Sequence, residues 1–167
     1  MKIQLETILD HQGVQHKIRR IAYQIYEANA QEDEIILAGI APNGYVFAER
    51  LAAILQTISP IHITLCKVTM DKKKPLNTVI TSLAPEAYEN KSVVLIDDVL
   101  NSGTTLIYGV KHFLDVPLKR FKTAVLVNRN HKKYPVKADF KGISLSTSLN
   151  ESITVTFEEG NDSAVLK

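Results

Sequence analysis

Cys66 is the only thiol in this 167-residue chain. One cysteine forbids an intramolecular disulfide and any metal site built from several thiolates. Its neighbours, Thr64-Leu65 and Lys67-Val68, read as a strand, so a buried core thiol is expected there and not a nucleophile. No apolar run approaches the roughly 20 residues that a membrane-spanning helix needs. The opening residues, Met1-Lys2-Ile3-Gln4-Leu5-Glu6, contain no apolar stretch of the signal-peptide kind. These absences give the expectation of a cytoplasmic protein. The net charge is +2 with histidine neutral, too small an excess to argue by itself for nucleic acid as a partner. Internal repeats and low-complexity segments are absent as well. Hydrophobic residues make up 45% and charged residues 23%, an ordinary balance for a soluble domain with one core. A single domain over residues 1–167 is therefore expected.

Against this plain background, the stretch from Val93 to Thr105 carries chemistry. Val93-Val94-Leu95-Ile96 is apolar and mostly β-branched, which reads as a buried strand. Asp97 and Asp98 are expected where that strand ends. Asn101-Ser102-Gly103 makes a small polar turn, and Thr104 to Leu114 reads as a helix, with Val110, Phe113 and Leu114 packing it on a sheet. Free backbone N–H groups in such a turn and in the helix's first turn converge, and the helix dipole adds positive potential, so the segment suits an anion. Gly103 permits close backbone approach, and Ser102, Thr104 and Thr105 add hydroxyl donors. The carboxylates serve a different need. An ionised Asp only accepts hydrogen bonds, so an adjacent pair suits neighbouring hydroxyls and can also hold Mg²⁺, directly or through its waters. A sugar with vicinal hydroxyls and a terminal phosphate satisfies both halves.

At these residues the chain resembles the type I phosphoribosyltransferases, whose diagnostic segment is an apolar strand, two acids and a small Gly-Thr-rich phosphate loop. The resemblance implies an α/β fold, with a parallel-dominated sheet, helices on both faces and a small hood. It implies Mg²⁺ as cofactor and phosphoribosyl pyrophosphate, a nucleobase and a nucleoside monophosphate as ligands. By this likeness Asp97 and Asp98 bind the ribose, and Asn101, Ser102, Gly103, Thr104 and Thr105 bind the 5′-phosphate.

The remaining segments fit that frame. From about Asp10 to Ala30 the chain reads as a helix, with Asp10 as N-cap and Val14, Ile18, Ile21 and Ile25 as its apolar stripe. Glu34 to Ile40 reads as a core strand and is followed by a helix to about Gln56, with Phe47, Leu51, Ile54 and Leu55 on one side. The turn between them, Ala41, Pro42, Asn43 and Gly44, matches by position the family's pyrophosphate loop, with Pro42-Asn43 where relatives carry a basic residue. Ile61 to Val68 is expected to be a strand. The segment 69–91 is expected to form a hood or flexible loop, with Thr78 to Thr81 a short strand and Lys72, Lys73 and Lys74 able to meet pyrophosphate on closure. Lys122 to Val127 reads as a buried strand and Ser152 to Glu158 as a half-exposed one among C-terminal strands at 143–158, while the tail beyond Glu159 is expected to fray.

A closer resemblance comes from Ala124-Val125-Leu126-Val127, Arg129, His131, Pro135, Ala138-Asp139-Phe140 and Gly142, together with Ile8-Leu9-Asp10 and Ala48-Glu49-Arg50-Leu51-Ala52. These resemble the pyrimidine operon attenuator/uracil phosphoribosyltransferase family. That likeness implies transfer of phosphoribose to uracil, assembly as a homodimer or higher homo-oligomer, and binding of a messenger RNA leader. It points to Asn128, Arg129, Phe140 and Lys141 for the base, a Phe ring being able to stack on one, and to Arg19, Arg20, Lys132 and Lys137 for RNA. The alternative is a nucleotide-responsive RNA-binding regulator of pyrimidine genes with weak or no catalysis.

Overall fold

Apolar residues recur in this chain at two periods, and the two periods build its layers. The computed structural model describes residues 5–76 and 78–167. Met1 to Gln4, on which the signal-peptide reading partly rests, and Asn77, within 69–91, lie outside the described residues. In chain order the elements are β1 (Glu6–Leu9), α1 (His11–Ala28), β2 (Glu34–Ile40), α2 (Asn43–Ile58), β3 (His62–Thr69), β4 (Ile80–Thr81), α3 (Pro85–Tyr88), β5 (Ser92–Leu100), α4 (Thr104–Phe113), β6 (Arg120–Asn128), β7 (Phe140–Ser144), β8 (Ile153–Thr156) and β9 (Ser163–Leu166).

Among the described residues, six strands form one sheet in the order β4-β3-β2-β5-β6-β7. All its neighbours are parallel except β4, which runs antiparallel to β3. Strand alternation divides the core. Ile35, Leu37, Val94 and Ile96 face the stripes of α1 and α2. Ile36, Ala38, Val93 and Leu95 face Leu106 and Phe113 of α4 and Tyr88 of α3. Helices therefore cover both faces, as parallel sheets require. The α1 helix starts where its sequence indicates: the Asp10 side chain accepts from the Gly13 N–H at 2.7 Å, and Val14, Ile18, Ile21 and Ile25 are all buried. Cys66 is a buried strand residue, and burial pushes its thiol pKa up, as for a core thiol.

The second layer differs from expectation. β1, β9 and β8 form a three-stranded antiparallel sheet among the described residues. This sheet, called the hood, is made by β1, β8 and β9 and is separate from the loop expected at 69–91. That segment holds an exposed turn, β4 reduced to Ile80–Thr81, and the short α3. The tail beyond Glu159 does not fray, because β9 pairs on both sides and Ala164 is fully buried. Leu114 is 60% exposed, since α4 ends at Phe113 before the stripe would return to the sheet.

Candidate functional site

The site forms where β5 outruns its neighbour. β2 pairs with β5 only as far as Gly39 opposite Ile96, whereas β6 stays paired up to Leu100 opposite Asn128. Asp97 to Leu100 thus belong to the strand, so the acids lie inside β5 and not at its end. Their edge is freed because β2 has already turned toward α2. Gly44 lets α2 press against that edge: a Cβ there would lie 2.6 Å from the Ile96 carbonyl oxygen and 3.0 Å from Asp97 Cα.

The turn after β5 has a fixed shape. Gly103, the N-cap of α4, has φ +88°, and a Cβ on it would stand 2.6 Å from Val136 Cγ1. The Ser102 carbonyl accepts from the Lys133 and Tyr134 N–H groups at 2.7 and 3.1 Å, and the hydroxyls of Ser102 and Thr104 lie 2.8 Å apart. Gly103 supplies no side chain to cap α4, so the first-turn N–H groups of this ten-residue helix remain suited to an external anion.

Asp97 through Leu106 line one continuous wall of a cavity of about 440 Å³. Lys72, Lys73 and Pro75 of the exposed turn close a second side, and Ile153 of the hood a third. Asp97 is 4% exposed. Burial, and then the neighbouring Asp98 carboxylate, push its pKa up to about 8, while Lys72 pulls the other way. Lys72 Nζ stands 3.6 Å from Asp97 Oδ1, which also accepts from the Asp98 N–H at 2.9 Å. Asp98 is half-buried; its Oδ1 accepts from the Val99 N–H at 2.9 Å and its Oδ2 from Asn43 Nδ2 at 3.0 Å. Asn43 Nδ2 donates as well to the Val155 carbonyl of β8 at 2.9 Å.

The structure thus gathers Asp97, Asp98 and Asn101 to Thr105 around one cavity. Ala41, Pro42, Asn43 and Gly44 lie outside its lining, although the Asn43 amide bonds Asp98 and Gly44 packs against Asp97. The base candidates separate from the site. Phe140 opens β7, packs on the core that faces α1, and borders a different depression beside Gln24 and Glu27. Strand alternation turns its ring that way, and neither Phe140 nor Lys141 lines the main cavity. The Arg129 guanidinium is engaged elsewhere, donating to Thr147 Oγ1 at 2.6 Å and to the Ser148 carbonyl at 2.9 Å, and Asn128 Nδ2 lies 3.4 Å from Ser144 Oγ. Among the RNA candidates, Arg20 donates to the Lys141 and Gly142 carbonyls at 2.9 and 2.6 Å, Arg19 stacks over the Tyr23 ring, Lys137 lies 3.5 Å from Asp139, and Lys132 is exposed. Sequence reasoning missed Ile153 as a cavity wall: the alternation of Ile153, Val155 and Phe157 marks the inward face of the strand but not what that face meets.

Among the described residues no cluster of three or more His, Cys, Asp or Glu side chains could hold a metal. None of the helices there is long and apolar enough to cross a membrane.

An acid pair on the free edge of a central parallel strand, followed by a glycine-containing turn into a helix, fits the phosphoribosyltransferase class, and the chain belongs to that family: residues 4–159 match the model of the phosphoribosyl transferase domain. It is a pentosyl-transferring enzyme. More particularly, it is 35% identical over 163 residues to Bifunctional protein PyrR of Geobacter sulfurreducens, covering 93% of this chain and 92% of that one. It is 32% identical over 166 residues to Bifunctional protein PyrR of Bacillus subtilis, again covering 93% and 92%. Among solved structures, a hypoxanthine-guanine phosphoribosyltransferase from Bacillus anthracis superposes with TM-score 0.71 at 21% identity, covering 87% of this chain and 85% of that one. The hypoxanthine phosphoribosyltransferase of Trypanosoma cruzi gives TM-score 0.74 at 15% identity, covering 89% and 84%. These two share the fold.

Proposed function

We propose that this enzyme transfers ribose 5-phosphate from phosphoribosyl pyrophosphate to a nucleobase, uracil first, releasing pyrophosphate. The observation that carries the reading is the convergence of Asp97, Asp98 and the Asn101–Thr105 turn on one cavity. Asp97 and Asp98 receive the ribose hydroxyls, and the turn amides with the Ser102, Thr104 and Thr105 hydroxyls hold the 5′-phosphate. Lys72 and Lys73 face the same space and meet the pyrophosphate. The bond from the anomeric carbon to pyrophosphate breaks, a bond from a base nitrogen forms, and the proton on that nitrogen passes to the released pyrophosphate or to water. The sugar passes through a cation-like state, so the residues act mainly by positioning and by charge neutralisation. Pro75 and Ile153 help keep water from the reacting carbon.

Mg²⁺ fits this donor set as an ion that arrives with substrate. Asp98 would offer it a hard carboxylate oxygen, and Asp97 a second once ion binding displaces its proton. When bound, it neutralises charge on the departing pyrophosphate. Uracil comes first because of the likeness to the pyrimidine operon attenuator/uracil phosphoribosyltransferase family. The test is pyrophosphate release from purified protein, Mg²⁺ and phosphoribosyl pyrophosphate with each nucleobase in turn. Uracil should give the highest rate, and no release with any base would overturn the reading.

The likeness to the pyrimidine operon attenuator/uracil phosphoribosyltransferase family, with relatives named Bifunctional protein PyrR, supports a second role, binding of a messenger RNA leader by a homodimer or larger assembly. Arg19, Arg20, Lys132 and Lys137 are the residues to test. Gel shifts at increasing salt check this: sequence-blind binding that disappears by about 0.2 M salt is charge attraction alone.

A further inference from the structure

We propose that Asn43 is a positioning residue that aims Asp98 at the sugar hydroxyls and couples it to the hood; the inference rests on the phosphoribosyl reading above. The N-cap of α2 is Pro42, whose side chain caps nothing, so no capping duty falls on the residue after it. Asn43 opens α2, and its amide crosses to two other elements, Asp98 Oδ2 on β5 at 3.0 Å and the Val155 carbonyl on β8 at 2.9 Å. Both partners are acceptors, so only the NH₂ edge satisfies them, and both of its hydrogens are used.

The consequence for Asp98 is geometric. Its Oδ1 accepts from Val99 N–H and its Oδ2 from Asn43. With one donor on each oxygen the carboxylate cannot swing, and one lone-pair direction on each oxygen stays free for a hydroxyl. The donor's own base is rigid, because at Gly44 the first turn of α2 sits too close to the Ile96 carbonyl to admit a side chain. Asn43 is also neutral. Its amide orients the acid without bringing a charge of its own. Through Val155 the same amide fixes β8, whose Ile153, two residues earlier on the strand, walls the cavity.

Calorimetry with ribose 5-phosphate, which has no pyrophosphate, isolates this role. Asn43→Ala should weaken binding about tenfold, the scale of a lost hydrogen bond to a charged group. Asn43→Asp keeps the shape but sets a second carboxylate against Asp98, and should weaken binding more than alanine does. In steady state with phosphoribosyl pyrophosphate, KM should rise while kcat changes little, as for an interaction made equally in ground and transition states. Asn43→Ser, too short to reach Asp98, repeats the measurement if the alanine variant does not fold. Unchanged affinity of the alanine variant for ribose 5-phosphate, or an aspartate variant that binds as well as wild type, overturns the proposal. So does a loss confined to phosphoribosyl pyrophosphate, which would make Asn43 a direct pyrophosphate contact. If the wild-type chain itself fails to bind ribose 5-phosphate, the phosphoribosyl reading falls, and this inference with it.

Discussion

Asp97 and Asp98 are chemically the same residue in adjacent positions, and the fold treats them differently. Asp97 is almost wholly buried and its pKa is pushed up to about 8, first by burial and then by Asp98. Unfolded, the carboxyl titrates near 3.8. Between those values the folded chain holds the extra proton, so this residue's contribution to stability declines as pH rises across the window. Asp97→Asn should therefore melt higher than wild type, with the difference widening from pH 4 to pH 8 and amounting to a few kcal/mol, roughly, at the alkaline end. Thermal melts at stepped pH check this, and a difference independent of pH would contradict it. Lys72→Met removes the cation 3.6 Å from Asp97, so the pH at which the difference levels off should move upward. The acids and the turn could be read from sequence because they are neighbours in it. The partners of the acids could not: Asn43 lies 55 residues before Asp98, and nothing local in a polar run singles out Lys72 as the lysine that folds back. Phe140 shows the converse limit, since an aromatic beside a strand is visible in sequence but the face it takes depends on a register that only pairing sets.

At the scale of elements, the decisive feature is the extension of β5 beyond β2, which gives the acids a free edge while β6 still holds them in a pleated strand. Close packing of α2 against that edge is what Gly44 permits. Gly44→Ala would place a methyl 2.6 Å from the Ile96 carbonyl oxygen, with backbone on the opposing wall. Because backbone cannot rotate away, the cost should be about 1–3 kcal/mol, or more, read as a lower urea midpoint at unchanged m-value. A midpoint equal to wild type would mean the helix start is looser than described. The helices and core strands were legible because their stripes and runs are local and long. β1 and β9 were not. Each has four residues, and Glu6 finds its partner at Leu166, almost the whole chain away, so neither carries a periodic signal of its own.

For the whole molecule, the hood matters because apolar packing of Ile153, Val155 and Ala164 and one buried carboxylate together pin it to the core. Asp162 is 1% exposed. It accepts from the side chains of Gln15 on α1 and Arg50 on α2, and its N–H donates to His11 Nδ1 at 3.0 Å. Its Oδ1 has no partner among the described residues, so the carboxylate depends on Arg50 for neutralisation. Arg50→Leu would leave a buried charge unpaired, a loss of about 3–5 kcal/mol. It would also release the sheet that carries Ile153, and should raise KM together with lowering the melting temperature. A variant that lost stability with KM unchanged would separate the hood from the site. The chain ends thus close a cavity that stands at the carboxyl ends of parallel strands, the place where open α/β sheets bind ligands. The most direct measurement is a crystal structure with uridine 5′-monophosphate. The ribose hydroxyls should lie within hydrogen-bond reach of Asp97 and Asp98, and the phosphate on the amides of Asn101 to Thr105. A nucleotide bound elsewhere, with that cavity left to solvent, would contradict this placement.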